Sequence, residues 1–210
     1  MTTFCPDCTL CPRLANFLAK TAHQNPDYHC KPVGPFGDMA PKLLIVGLAP
    51  GMHGANRTGR PFTGDYAGIL LYESLHALGL STAPTSVDRF DGLRLVGARI
   101  TNAVKCLPPE NKPLPAEIKT CNRYLAAELE ALEPVRAVLA LGLVAHEAVL
   151  LASGLKRSAA KFAHGAEHAL PGGRRMVDSY HCSRYNTQTR RLTAEMFREV
   201  LGRAAGLAGL

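Results

Sequence analysis

The 210-residue sequence has no run of 18 apolar residues, so no segment is predicted to span a bilayer. The N-terminal stretch MTTFCPDCTLCPRL also lacks the basic start and long apolar core of a signal peptide. Internal repeats and low-complexity tracts are absent. We therefore expect a cytoplasmic protein with no membrane partner, folded as one domain over residues 1–210.

Charge is what the sequence has in excess. Lysine and arginine number 24 against 17 aspartates and glutamates, which gives a net charge of +7 and a pI near 9.2. Such an excess indicates a polyanionic partner, with nucleic acid favoured over a membrane surface. The alternative is a soluble protein that is merely basic.

Apolar, β-rich runs alternate with helical patterns along the chain, and this order predicts an α/β fold with a parallel sheet covered by helices on both faces. The predicted strands are residues 43–47, 95–104, 137–141 and 176–180. The predicted helices are residues 65–78, 115–132, 143–151 and 194–204. A Pro- and Gly-rich loop is predicted over residues 30–41, and a polar surface excursion over residues 80–93.

Chemically useful residues follow the predicted strands. Gly47 to Gly51 follow the first strand, Asn102 ends the second, Gly142 follows the third and His181 follows the fourth. Ligands of open parallel sheets bind beyond the carboxyl ends of the strands. A flexible backbone, an amide and an imidazole are therefore expected to converge on an active site at that edge.

Four cysteines form two pairs, Cys8-x2-Cys11 and Cys106-x14-Cys121. Disulfides are rare in the cytosol, so the seven cysteines of this chain indicate metal ligands or free thiols. Four thiolates suit zinc or a [4Fe–4S] cluster, and the missing second x2 pair favours iron–sulfur. Cys5 also lies x2 from Cys8, so the pair Cys5/Cys8 is open, as is a set of unconnected buried thiols.

The segment GLAPGMHGANRTGRPFTGD spans residues 47–65, and its five glycines allow the backbone to approach a ligand closely. It matches neither a Walker loop nor GxGxxG, so a nucleotide phosphate cradle is weakly supported. Phe62 is either a base-stacking ring or a core residue. Asp65 is either a helix N-cap or a carboxylate that orients water and offsets positive charge on a sugar.

Asn102 and His181 each have two readings. Asn102 either reads a base edge with its amide or bonds to the backbone. His181 is either a satisfied structural residue or the root of a loop pressed against a nucleic acid. Phosphate-binding side chains follow it, which favours the loop: Ser183, Arg184, Asn186, Thr187, Thr189, Arg190 and Arg191.

Together with the cysteine pattern, GLAPGMHGANRTGRPFTGD and SYHCSRYNTQTRRLT resemble the iron–sulfur uracil-DNA glycosylases, in particular the fifth or B-type family. The resemblance extends from Cys8 to about Leu201. It implies a three-layer α/β/α sandwich with a central four-stranded parallel sheet. It also implies a monofunctional DNA glycosylase, a hydrolase of N-glycosyl bonds, that flips out and excises uracil and other deaminated or damaged bases and so initiates base excision repair. Such an enzyme would act as a monomer on double-stranded DNA.

The resemblance also assigns roles to residues. The catalytic residues would be Asp65 and His181. The base would be bound by Gly47, Leu48, Ala49, Gly51, Phe62, Asn102 and Asn186. The DNA would be contacted by Asn56, Arg57, Ser183, Arg184, Thr189 and Arg190. A [4Fe–4S] cluster would be held by Cys8, Cys11, Cys106 and Cys121.

Three positions bear on this assignment. Many superfamily members carry a polar residue where this chain has Ala49. Its absence is typical of the B-type branch and leaves Asp65 as the candidate carboxylate. Cys182 and Arg190 stand where relatives commonly have a small apolar residue and a glycine, which would alter the loop more than the chemistry.

Two other functional classes remain open from the sequence. A non-catalytic iron–sulfur or zinc protein that binds DNA would have the same cysteines and charge. A small-molecule hydrolase acting on free nucleosides would share the fold, but the basic loop after His181 argues against it.

Overall fold

The computed structural model describes residues 4–132 and 134–210. Six strands form one sheet: β1 (Phe36–Gly37), β2 (Leu43–Gly47), β3 (Ala98–Asn102), β4 (Ala137–Leu141), β5 (Glu167–Ala169) and β6 (Arg175–Ser179). The helices are α1 (Pro12–Gln24), α2 (Ala55–Thr58), α3 (Tyr66–Ala77), α4 (Pro115–Ala131), α5 (Leu143–Ala152), α6 (Arg184–Gln188) and α7 (Ala194–Ala208). None of the helices within these described ranges combines the length and apolarity needed to cross a membrane.

The strand order is β1-β3-β2-β4-β6-β5. The four inner strands run parallel, as predicted, whereas β1 and β5 pair antiparallel at the two edges. The predicted central four-stranded parallel sheet is therefore confirmed, and two short edge strands extend it to a mixed six-stranded sheet. The edge strands have two and three residues, which is too short for a period-2 pattern to reveal them.

Successive residues of the central strands point to opposite faces of the sheet, and both faces are buried. In β2, Leu43 and Ile45 join one hydrophobic cluster with residues of α3 and α7. Leu44 and Val46 join a second cluster with residues of α1, α4 and α5. This arrangement confirms the predicted three-layer α/β/α sandwich.

Helix α1 is longer than the other helices that were not predicted, α2 and α6. It begins with Pro12 at its first position, where proline loses no hydrogen bond, and it buries Leu14, Leu18 and Thr21 on one face. The i, i+4, i+7 spacing of these residues is typical of a packed helix.

The carboxyl ends of the parallel strands lie side by side. The register pairs Gly47 with Asn102, at the ends of β2 and β3. The Gly142 amide donates to the Ser179 carbonyl over 2.8 Å, which joins the ends of β4 and β6. The loops that leave these strands therefore start from one rigid edge.

Candidate active site

A cavity of about 490 Å³ opens at this edge. Its walls come from the segments that follow β2, β3, β4 and β6, as the sequence analysis predicted. Its size falls in the range of small-molecule pockets. Predicted residues in its lining are Leu48, Ala49, Gly51, Phe62, Asp65, Asn102, His181, Ser183 and Arg184.

Gly47 is needed for close packing at the end of β2. A Cβ there would lie 2.6 Å from the Phe62 ring and would also strike Oδ1 of Asn102. Gly54 is equally restricted, because its Cβ would meet the Asp65 carboxylate. Glycine at these two positions lets the loop pass directly under the side chains that line the cavity.

Phe62 is 6% exposed and packs in the core cluster next to α3. Its ring stacks on His181, with 5.9 Å between ring centroids and 26° between planes. A base sandwiched between two rings needs about 7 Å, since carbon atoms pack 3.5–4.0 Å apart. Phe62 is therefore both a core residue and a cavity wall, and a planar ligand would lie beside the ring pair or displace His181.

Burial lowers the pKa of His181 to about 4. The imidazole is thus neutral near pH 7 and carries one N–H donor and one acceptor. The Asn186 amide donates to the His181 carbonyl over 2.8 Å and holds the loop backbone at this point. His181 can therefore stabilise a developing anion as a neutral hydrogen-bond donor.

Asp65 caps helix α3, because its Oδ1 accepts a 3.0 Å hydrogen bond from the Gly68 amide. Its Oδ2 faces the glycine loop, 3.4 Å from where a Gly51 Cβ would lie. Burial raises the pKa of the carboxyl group, and the Gly68 amide partly offsets that rise. The two readings of Asp65 are compatible, since one oxygen fixes the helix and the other faces the cavity.

Asn102 is 3% exposed, and its Oδ1 has no hydrogen-bond partner within residues 4–132 and 134–210. Leaving a buried acceptor unsatisfied costs about 1–3 kcal/mol. Asn102 lines the cavity, so a ligand with an N–H group on its edge would relieve this cost. The backbone-bonding reading of Asn102 has no support from its contacts.

The segment after His181 forms α6 at the rim of the cavity. The Ser183 hydroxyl caps this helix by accepting a 3.4 Å hydrogen bond from the backbone amide of Asn186. The Arg184 guanidinium lies 5.8 Å from the centre of the Tyr66 ring. Thr189 and Arg190 are exposed beyond the helix. Arg190 has a positive φ of 56°, the left-handed conformation that a glycine would adopt without strain.

Two predicted contacts need correction. Asn56 is fully buried and its Nδ2 faces the Cys30 sulfur at 3.5 Å, so its side chain cannot contact DNA. Its neighbour Arg57 is exposed, as such a contact requires. Asn186 does not line the cavity and instead braces His181 from behind.

Tyr66 and Asn111 also line the cavity but are not among the predicted site residues. Tyr66 directly follows Asp65 and is 43% exposed, so its place at a helix start was a usable signal. Asn111 has a positive φ of 56°, which the sequence does not indicate.

A second cavity lies between the start of α1 and helix α4. Cys8, Cys11, Cys106 and Cys121 all line it, together with apolar residues such as Leu14 and Val104. Cys5 is exposed and lies outside this lining. Burial, with a smaller contribution from the neighbouring thiols, raises the pKa of Cys106 to about 12. A bound cation would reverse this effect, because it stabilises thiolates.

The spacing of the four sulfurs discriminates between metals. Tetrahedral zinc with Zn–S bonds near 2.3 Å needs sulfurs about 3.8 Å apart. Of the described residues, only His146, His168 and Asp178 bring three potential ligand atoms within 4.8 Å of one another, so the cysteines are more widely spaced. Four sulfurs spaced too widely for one zinc ion suit a multi-iron cluster.

Comparisons with known proteins agree with this geometry. A family model described as "Uracil DNA glycosylase superfamily" matches residues 35–205. A type-5 uracil-DNA glycosylase of Thermus thermophilus is 52% identical over 208 residues, which are 97% of this chain and 94% of that protein. One from Pyrobaculum aerophilum is 45% identical over 207 residues, covering 97% and 90%. A type-4 uracil-DNA glycosylase of P. aerophilum matches 115 residues at 39% identity, 54% of this chain and 50% of that protein. The type-5 proteins are thus similar to this chain over nearly all of the residues that build both cavities. This chain therefore belongs to the uracil-DNA glycosylase superfamily and is most similar to its type-5 members among these relatives.

Proposed function

We propose that this protein excises uracil, and other deaminated bases, from double-stranded DNA as a monomer. The observation that carries the proposal is Asn102: a buried amide, whose oxygen has no partner among the described residues, lines a cavity that also holds a phenyl ring and a neutral imidazole. Uracil presents an N–H between two carbonyl groups and so matches this set. A base inside a duplex must first be flipped out, which costs a few kcal/mol and least at a mismatch.

The chemistry is the hydrolysis of one N-glycosidic bond. The bond between N1 of uracil and C1′ of the sugar breaks, and its electron pair stays on the base. His181 donates a hydrogen bond to the resulting anion. Asp65 stands where its free oxygen can hold a water molecule and favour the cationic sugar. Water adds its oxygen to C1′, and its proton is released for eventual transfer to the departing base.

The four cysteines fit a [4Fe–4S] cluster, held by Cys8, Cys11, Cys106 and Cys121. When bound, the cluster would cross-link the start of α1 to α4 and to the segment after β3. This segment follows Asn102 directly. It is also tied to the end of β2, because the Ala103 and Val104 amides donate to the carbonyls of Gly47 and Leu48. The cluster would therefore hold the base-binding edge in place without taking part in bond cleavage.

The proposal is tested by incubating the purified protein with a uracil-containing duplex and then treating the DNA with alkali. An abasic product gives strand breaks at the uracil position. A non-catalytic DNA-binding protein would retard the duplex but leave it intact. Free deoxyuridine serves as a second substrate, because a nucleoside hydrolase would cleave it and a glycosylase built for DNA would not.

Replacing Asn102 with alanine should lower the preference for uracil over cytosine about 10- to 100-fold, because a good base-edge contact is worth about 1–3 kcal/mol. Single-turnover rates on U-containing and C-containing duplexes measure this preference. The matched control is Asn122→Ala, which removes a buried amide that donates to the Ala148 carbonyl over 2.8 Å, away from the cavity. Unchanged discrimination in Asn102→Ala would contradict its role.

DNA affinity should fall steeply with salt if Arg184 and Arg190 contact phosphates, by a log–log slope of about 0.9 per contact. Each alanine variant should then lower that slope by about one unit. Arg136→Ala is the control, because Arg136 directly precedes β4 and so lies at the amino ends of the parallel strands, opposite the cavity. Binding of a fluorescent duplex at several salt concentrations gives the slopes, and equal slopes in all variants would rule these contacts out.

A further inference from the structure

A third concave surface lies beside the active-site loop, with a volume of about 400 Å³. We call it the aromatic groove and define it by Tyr28, His29, Arg57, Arg89 and Phe90. None of the roles assigned above uses its two aromatic residues or Arg89. Phe90 is 82% exposed, far more than is usual for a phenylalanine in a folded protein.

The loop that carries Phe90 is firmly anchored. The buried Arg60 guanidinium holds both oxygens of Asp91, and the amides of Val87 and Leu93 also donate to that carboxylate. The Phe90 amide donates to Asp88 over 2.6 Å. The exposed ring is therefore presented by an ordered turn, and its exposure is not a consequence of a loose chain.

The charges of the groove favour a base over a phosphate. Arg57 and Arg89 are balanced by Asp27 and Asp88 in its lining, so the groove carries little net charge. The Arg89 guanidinium lies 4.7 Å from the centre of the Phe90 ring and covers part of it. Stacking surfaces with donors and acceptors at their edges are what an unpaired nucleobase needs.

The groove and the active-site cavity share the short helix α2. Ala55 faces the cavity, whereas Arg57 and Thr58 face the groove. The Tyr28 hydroxyl is 2.9 Å from Nδ1 of His53, which ties the far wall of the groove to the same loop. A helix with its side chains is about 10 Å across, and successive phosphates of one strand are spaced about 3.4 Å along the duplex axis. The groove therefore lies within about three nucleotides of a base held in the cavity.

On these grounds, and given the proposed function, we propose that the aromatic groove is a second nucleobase subsite. It binds an unpaired base that flanks the excised one, with Phe90 as the stacking platform. The protein would then bind uracil more tightly next to unpaired nucleotides, as at a frayed end or a bulge, than inside a fully paired duplex.

The test compares three DNAs that carry a hydrolysis-resistant 2′-fluoro analogue of deoxyuridine. One is fully paired, the second has three unpaired nucleotides on the 5′ side of the analogue, and the third has three on its 3′ side. Fluorescence anisotropy gives the dissociation constants. Wild-type protein should bind one of the unpaired versions about 5- to 100-fold more tightly than the paired duplex. Phe90→Ala should lose most of that difference and keep only the part that comes from the lower cost of flipping a base beside unpaired nucleotides.

Val87→Ala is the matched control, because Val87 is an exposed apolar residue of the same loop that does not line the groove. It should keep the full difference. The subsite is refuted if wild type shows no preference for unpaired flanks, or if Phe90→Ala keeps the wild-type preference. Uracil release from a cleavable duplex, measured in parallel, decides the proposed function separately, since neither variant should change its rate at saturating enzyme.

Discussion

Replacing His181 with alanine should lower the single-turnover rate of uracil release about 10²- to 10³-fold, the usual cost of losing one donor to a developing oxyanion. The variant removes the only imidazole in the described lining of the cavity. Binding to uracil-containing DNA should change much less, because the donor matters most when charge has built up on the base.

Two variants sharpen this experiment. His181→Asn keeps an N–H donor of similar reach and should recover part of the lost rate. His76→Ala removes a histidine in the last turn of α3, whose Nδ1 lies 2.9 Å from the Ser81 carbonyl, and should be close to wild type. A wild-type rate for His181→Ala would show that the base departs without help from this side chain.

The low pKa of His181 has a consequence for stability. The folded state holds this imidazole neutral down to about pH 4, whereas an unfolded histidine takes up a proton near 6.5. The unfolded state therefore binds more protons between these values, and the free energy of unfolding falls as the pH drops through this window. Urea unfolding at pH 7 and pH 5 should show a smaller loss for His181→Ala than for wild type.

Catalysis should depend on pH for a different reason. His181 stays neutral above about pH 5, so it contributes no change in rate between pH 6 and pH 8. The proposed role of Asp65 requires its ionised form, so we expect the acid limb of the rate profile to follow the pKa of this carboxyl group, which burial raises. Asp65→Asn should remove that limb while keeping a side chain that can cap α3.

The predictable parts of the fold are those that continuous apolar runs mark in the sequence. The runs at 43–47 and 137–141 are apolar throughout, which is typical of strands buried on both faces. Their carboxyl ends then located the cavity, because that edge is common to all open parallel sheets. The edge strands and Asn111 were not predictable, since they depend on pairing and loop geometry that only the folded chain defines.

The burial of individual site residues was the property least predictable from the sequence. Asn56 lies in the short helix α2, between the exposed His53 and the exposed Arg57 in the sequence, yet it is fully buried. Phe62 has a positive φ of 53°, a conformation that costs a non-glycine residue about 1–3 kcal/mol. Its position between Gly47 and His181 depends on that conformation, which no residue pattern indicates.

Removing one of the four proposed cluster ligands should have the largest effect on stability. In Cys106→Ala the remaining three thiols cannot complete a four-cysteine site, so bound iron and its brown colour should be lost. A cross-link between residues 11 and 106 closes a loop of roughly 100 residues, which is worth about 4–5 kcal/mol in the chain-entropy model. At about 2–4 °C per kcal/mol for a chain of this size, Tm should fall by about 10–20 °C.

Other cysteines provide the controls. Cys30→Ala removes a buried cysteine that lies outside the cysteine-lined cavity, and it should keep its iron. Cys5→Ala and Cys11→Ala decide between the two pairings with Cys8: only the second should lose iron, because Cys11 lines the cavity and Cys5 does not. Elemental analysis for iron and zinc, together with absorbance and thermal unfolding, reads out all four variants. Zinc in place of iron would contradict the proposed iron–sulfur cluster. Iron retained in Cys106→Ala would also contradict it, because the iron would then not depend on all four thiolates that are proposed to link α1 to the base-binding edge.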